Sequence, residues 1–195
     1  MEKMIKYLKS TTDERFKNDL VLKIYELNER LAPSPEWFIQ KTNVIFEYGS
    51  ECITSSMLAK TIKIIEDNLN MADDRTQFGY NLIQMYYDNI NNQLPDVFIK
   101  LISWIYGEVG SIIYHDDSSS LEQIGVALQC LLQQKMQNIN TEVWIYSALA
   151  KIKACPQYND TSIASTLEAA KTSKNNEIRQ RAHEYLRIPG NIHIK

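Results

Sequence analysis

Apolar residues in this chain recur at three- and four-residue intervals almost from end to end, and no useful length alternates polar and apolar with a period of two. That pattern calls for amphipathic helices and leaves no place for a half-buried sheet. Phe16, Leu20, Ile24, Leu27 and Leu31 form one stripe, closed by Ala32-Pro33. Ser34 then stands at an N-cap and Pro35 at the first helical position, opening a second helix that carries Trp37, Phe38, Val44, Ile45 and Tyr48 and stops at Gly49. Leu58, Ile62, Ile65 and Leu69 make a third stripe. Asp73 or Asp74 caps a fourth, which bears Phe78, Leu82, Met85 and Tyr86. A fifth begins near Pro95 with Leu94, Val97, Phe98, Leu101, Ile102, Ile105, Ile112 and Ile113, and the polar run Asp116 to Ser120 reads as the loop after it. Leu121, Ile124, Leu128, Leu131 and Leu132 follow, then Ile145, Ala148, Leu149 and Ile152 before Pro156. Ile163, Leu167 and Ala170 come next, and Ile178, Ala182, Tyr185 and Leu186 end at Pro189-Gly190.

Helix starts near residues 13, 53, 94 and 139 head successive helix pairs, a period of about 40 to 45 residues that is typical of HEAT and armadillo arrays. The expectation is an all-α chain: a right-handed α-solenoid, or α-α superhelix, of HEAT/armadillo-like pairs over residues 1–188, with 189–195 a short tail. Each pair in such an array buries its stripe only against its neighbours. Met4, Ile5 and Leu8 open the chain with an apolar stripe that no upstream helix covers, so marginal solubility or self-association is expected.

The stretch "WIYGEVG", Trp104 to Gly110, places two glycines inside the fifth stripe. Glycine costs a helix interior up to about 1 kcal/mol relative to alanine. A phosphate-binding loop would follow a strand and carry a Lys with Ser or Thr, and neither is here. Gly107 and Gly110 are three apart, hence on roughly one face, and read as a place where the next helix comes close. Glu108 between them is expected in a partly buried hydrogen bond with a structural role. Trp104 and Trp37 are read as packing residues.

No catalytic, cofactor or metal set converges. His115-Asp116-Asp117 reads as a solvated loop, since adjacent residues diverge and no second cluster lies nearby. His183 has no Ser or Cys partner in its charged helix, and Cys130 lies in a leucine stripe as a core residue. The three cysteines are far apart with no Cys-x-x-Cys pair, which points to reduced thiols. Asn159-Asp160-Thr161 is read as a helix cap, and the pair Tyr86-Tyr87 as filling between helices. Net charge is −3, with Lys and Arg dispersed, so neither nucleic acid nor an anionic membrane has an electrostatic footprint here. No apolar run is long enough to span a bilayer, and the lysine-rich first ten residues do not read as a signal peptide.

Three blocks carry a family resemblance. "FKNDLVLKIYELNERLAPSPEWFIQKTNVIFEYG" from Phe16 to Gly49, "LPDVFIKLISWIYGEVG" from Leu94 to Gly110 and "EIRQRAHEYL" from Glu177 to Leu186 resemble, in the same order, the trunk of the large adaptin subunits of clathrin-adaptor type complexes. Trp37-Phe38-Ile39-Gln40, Val44-Ile45-Phe46-Glu47 and Gln93-Leu94-Pro95 favour the epsilon class of the fourth adaptor complex, with gamma and alpha adaptins as alternatives. Val109 departs from the family pattern, where an aromatic is common, and the tail "RIPGNIHIK" matches nothing in it. The resemblance implies the later part of a trunk, without its first half, hinge or ear. It implies a cytoplasmic, non-enzymatic scaffold for cargo sorting by vesicle-mediated transport. Its partners would be a second large subunit and medium and small chains. Membrane association at the trans-Golgi network, endosomes or coated vesicles would then run through the assembled complex. Periodicity alone leaves open a generic HEAT-repeat interaction module unrelated to vesicle coats.

Overall fold

A computed structural model of the chain describes residues 1–71, 75–87, 93–114, 117–158 and 161–188. Every regular element among them is helical, and they divide into two compact units, Met1–Arg75 and Thr76–Lys195. The first holds α1 (Glu2–Ser10), α2 (Glu14–Leu31), α3 (Pro35–Tyr48), a 3-10 turn at Ser50–Cys52 and α4 (Ser55–Met71). The second holds α5 (Arg75–Tyr87, from its second residue on), α6 (Asp96–Ile113), α7 (Ser118–Leu132), α8 (Asn140–Ala154), α9 (Ser162–Ala170) and α10 (Asn176–Arg187). α2, α4, α6 and α8 start within two residues of the positions that the sequence period sets.

Local chemistry places the boundaries. Asp13 accepts from Phe16 N at 2.9 Å and Ser34 from Trp37 N at 3.3 Å, each satisfying an amide that its helix leaves unpaired. Asp117 caps α7 in the same way, accepting from Ser120 N. The polar run read as a loop is therefore shorter than expected, because Ser118, Ser119 and Ser120 form the first turn of α7. Thr161 precedes α9 but makes no side-chain cap. Asp73, Asp74, His115, Asp116, Asn159, Asp160 and the segment 189–195, Pro189-Gly190 included, lie outside the described residues.

Two expectations for the first unit need correction. The opening stripe is covered: α1 packs on α2 and α3, and Ile5 and Leu8 are buried at 7% and 1% exposure. The motive for self-association through that stripe is gone. The buried face of α2 is Leu20, Val21, Ile24, Tyr25 and Asn28, which leaves Phe16 and Leu31 exposed. Hydropathy missed this rotation because two of the inward residues are polar. Asn28 is fully buried and its Nδ2 donates to Phe38 O at 2.8 Å and Thr42 Oγ1 at 2.9 Å, joining α2 to α3. The Tyr25 hydroxyl donates to Met57 O at 3.0 Å and lies 3.1 Å from Thr61 Oγ1, joining α2 to α4. Burial raises the Tyr25 phenol above its ordinary value.

In the second unit α6 is central. Ten of its residues are buried, from Phe98 to Gly110, and its most extensive packing is on α8. Tyr86 of α5 is buried edge-on to Phe98, with centroids 5.7 Å apart, whereas Tyr87 is exposed. Val109 faces Gly79 of α5, where an added Cβ would lie 3.0 Å from its Cγ1.

Replacing Asn28 with Ala removes both inter-helix donors and leaves Thr42 Oγ1 short of a buried partner. It should cost about 1–3 kcal/mol in a urea melt. A loss below about 0.5 kcal/mol would mean that the buried amide does not hold α2 to α3.

Candidate functional site

α6 and α8 run parallel. Asp96 contacts Thr141, Gly107 meets Ala148 and Glu108 pairs with Lys151, so positions match in the same order along both helices. α10 continues the series beside α8, with Tyr185 at Ser147 and Ile188 at Lys153. Side chains at equivalent levels therefore stand next to one another on adjacent helices.

Gly107 explains the closeness. A Cβ there would lie 2.8 Å from Ala148 Cα and 2.9 Å from its Cβ. Among described residues no glycine has a positive φ, so conformational freedom is not what these glycines supply. Gly110 differs from the one-face expectation: its added Cβ would meet Ile124 Cδ1 of α7 at 2.8 Å and Ile152 Cδ1 of α8 only at 3.8 Å. Three residues make slightly less than a helical turn, and at this crowded junction of α6, α7 and α8 that offset changes the neighbour. Trp104, one turn before Gly107, is half-buried beside Trp144 of α8. Trp37 stands apart in the first unit, with Lys41 Nζ 5.5 Å from its ring centroid.

A groove of about 440 Å³ opens over these helices, lined by Trp104, Asn140, Val143, Trp144, Ser147, Glu177 and Arg181. Glu108 and Lys151 form an ion pair beyond its inner end, with both side chains about one-third exposed. Burial holds the Lys151 ammonium below its usual value even beside that carboxylate. At the other side Arg181 donates through Nε and Nη2 to Glu177 and through Nη1 to Tyr185 Oη at 2.9 Å. Tyr185 Oη lies 2.9 Å from Ser147 Oγ, which donates to Val143 O at 2.8 Å. Since the Ser147 hydrogen goes to Val143 O, Ser147 accepts from Tyr185, and the chain of donors runs one way from α10 into α8. The Tyr185 hydroxyl and Glu177 hold the guanidinium more firmly protonated than usual.

Asp96 fixes the start of this arrangement. Its carboxylate accepts from Gln137 N at 3.0 Å, Asn138 N at 2.7 Å and Thr141 Oγ1 at 2.8 Å, while Leu94 N donates to Gln134 Oε1 at 2.9 Å. The approach to α6 is thus tied to the approach to α8. Burial alone would raise the Asp96 carboxyl; the Gln137 and Asn138 amides, the Thr141 hydroxyl and Lys100 outweigh it and bring it below its ordinary value.

Cys155 is buried and its thiol is pushed up to about 11, far from a thiolate. Cys130 is half-buried in the α7 stripe, and His183 is exposed. Among the described residues no three His, Cys, Asp or Glu side chains gather to hold a metal, and no helix is long and apolar enough to cross a membrane. Sequence reasoning missed Trp144, Asn140 and the Arg181–Tyr185–Ser147 chain. One signal was available: Trp144, Ser147 and Lys151 recur at helical spacing on the α8 face beside its apolar stripe.

The profile of the adaptin N-terminal region matches residues 1–191. The chain belongs to the adaptin N-terminal region family. Its fold class is accordingly all-α, with HEAT/armadillo-like helical pairs. It is similar to the AP-4 complex subunit epsilon-1 of Mus musculus, 26% identical over all of this chain and 17% of that protein. It is also similar to the AP-4 complex subunit epsilon of Arabidopsis thaliana, at 26% over 94% of this chain and 20% of that protein. The AP-2 complex subunit alpha of Schizosaccharomyces pombe is 24% identical over 93% of this chain and 19% of its own length. This adaptin chain thus spans a fifth or less of those relatives. Two of the three blocks that carry the resemblance, on α6 and α10, meet across α8 in the groove.

Two predictions follow from this geometry. Gly107→Ala puts a methyl against Ala148 backbone and should cost about 1–3 kcal/mol, lowering Tm with helicity retained. Gly110→Ala meets only the flexible tip of Ile124. The gain in helix propensity of up to about 1 kcal/mol should leave Tm level or higher. Equal shifts in the two variants would refute the difference in neighbours. For Asp96, a folded carboxyl below its ordinary value of 3.8 adds stability that is present above that value and lost as pH falls from it through the lower folded value. Asp96→Asn should cost about 1–2 kcal/mol at pH 7 and progressively less below pH 4, as read by urea melts across pH.

Proposed function

We propose that this chain is a later trunk segment of a large adaptor-complex subunit, over residues 1–188, serving as a scaffold in vesicle-mediated intracellular protein transport. The observation that supports this most directly is the adaptin match along nearly the whole chain, in company with AP-4 epsilon, AP-2 alpha and AP-1 gamma relatives. The first similarities are to AP-4 epsilon subunits, which favours cargo sorting at the trans-Golgi network or endosomes. Its partners in this reading are a second large subunit and medium and small chains. The chain works in the cytoplasm and reaches membranes peripherally, through the complex, because its own charge is −3 and dispersed. Gly107 and Gly110 serve by letting helices approach, Trp104 by walling the seam between α6 and α8, and Trp37 by packing in the first unit. The role is non-enzymatic and uses no cofactor.

Co-expression with the second large, medium and small subunits of an AP-4 complex provides the test. Tagged chain should retain the small and medium chains through gel filtration. A generic helical-repeat module would retain none of them, and that result would overturn the adaptor reading.

A further inference from the structure

The contacts between α6, α8 and α10 place Trp104, Trp144 and Arg181 at equivalent levels of three parallel helices, so a chain crossing those helices meets the two indoles and the guanidinium in turn. Both indoles are half-buried on the groove, and neither indole N–H nor the side-chain amide of Asn140 has a partner among the described residues. Arg181 uses three of its five N–H donors on Glu177 and Tyr185 and keeps two. The hydrogens of Tyr185 and Ser147 are committed inward, ending at Val143 O. The charges bordering the groove cancel in pairs, Glu108 with Lys151 and Glu177 with Arg181. The groove therefore offers aromatic faces and free donors, and it presents no unpaired charge to recognise a charged ligand.

We propose that this groove binds an uncharged, proline-rich extended segment in the polyproline II conformation. Such a segment presents carbonyl acceptors all round, lacks N–H donors at its prolines and carries no charge, which complements what the groove offers. The spacing fits as well. Neighbouring helix axes lie about 8–10 Å apart, and one three-residue turn of polyproline II advances about 9 Å. Prolines one turn apart then stack on Trp144 and Trp104, while Asn140 and the spare Arg181 donors reach the intervening carbonyls. The proposal stands on the groove alone and does not depend on the adaptor reading.

Acetylated and amidated octaproline is the probe. The chain has three tryptophans, so the Trp37→Phe background confines the fluorescence to Trp104 and Trp144. Titration should give a saturable change, and neutral Gly-Ser, acidic and basic octamers of equal length should bind more weakly. In that background Trp144→Leu should weaken binding about tenfold or more, with circular dichroism confirming the fold. Asn140→Ala, at an exposed first helical position, should weaken it less, and it carries the test if Trp144→Leu fails to fold. No saturation with octaproline, equal binding of the Gly-Ser peptide, tighter binding of a charged octamer, or unchanged affinity in the folded variants would each overturn the proposal.

Discussion

The second unit depends on how near α8 can come to α6. That distance is set where Gly107 lies under Ala148, with no room for a methyl between them. Dispersion energy falls steeply with separation, so a contact between two backbones brings the flanking side chains into range along the whole seam. Ser103 and Gly107 on α6 and Ala148 and Ile152 on α8 are buried where the two helices meet. The same closeness sets Glu108 against Lys151 and Trp104 beside Trp144.

Polar side chains supply what apolar packing cannot, which is register. A stripe of Leu and Ile tolerates sliding and rotation at small cost, because its contacts have little direction. Asn28 between α2 and α3, Tyr25 between α2 and α4, and Asp96 across the approaches to α6 and α8 each demand particular partners at hydrogen-bond distance. A shift of one helical turn would leave these groups buried or half-buried without partners, and that penalty exceeds the net value of the bonds themselves.

The helical class, the pairing period and most boundaries were legible because they rest on local chemistry: apolar spacing, Ser34 before Pro35, Ala32-Pro33 as a stop. A costly residue inside a helix implies an approaching neighbour, and an added Cβ at Gly107 would lie 2.8 Å from Ala148 Cα. What escaped was anything carried by inward polar groups. Hydropathy assigned α2 a face through Phe16 and Leu31, whereas Tyr25 and Asn28 turn the helix and leave those two exposed. The groove escaped for a different reason. Trp104, Trp144 and Arg181 come from three helices, and only the parallel stacking of α6, α8 and α10 makes them neighbours.

The packing of α6 against α5, α7 and α8 also orders the motions of the second unit. α6 keeps a partly wet edge at Trp104 and Glu108, yet it packs on α5, α7 and α8, and its opening would strip the apolar contacts of all three. Its backbone amides are expected to exchange with solvent more slowly than those of α10. α10 buries just Ile178 and Ala182 and can detach for the cost of its polar chain and a small apolar cluster. The unit buries most at its centre and little at the helix that carries Arg181, so the groove has two walls on well-buried helices and a third on a lightly anchored one.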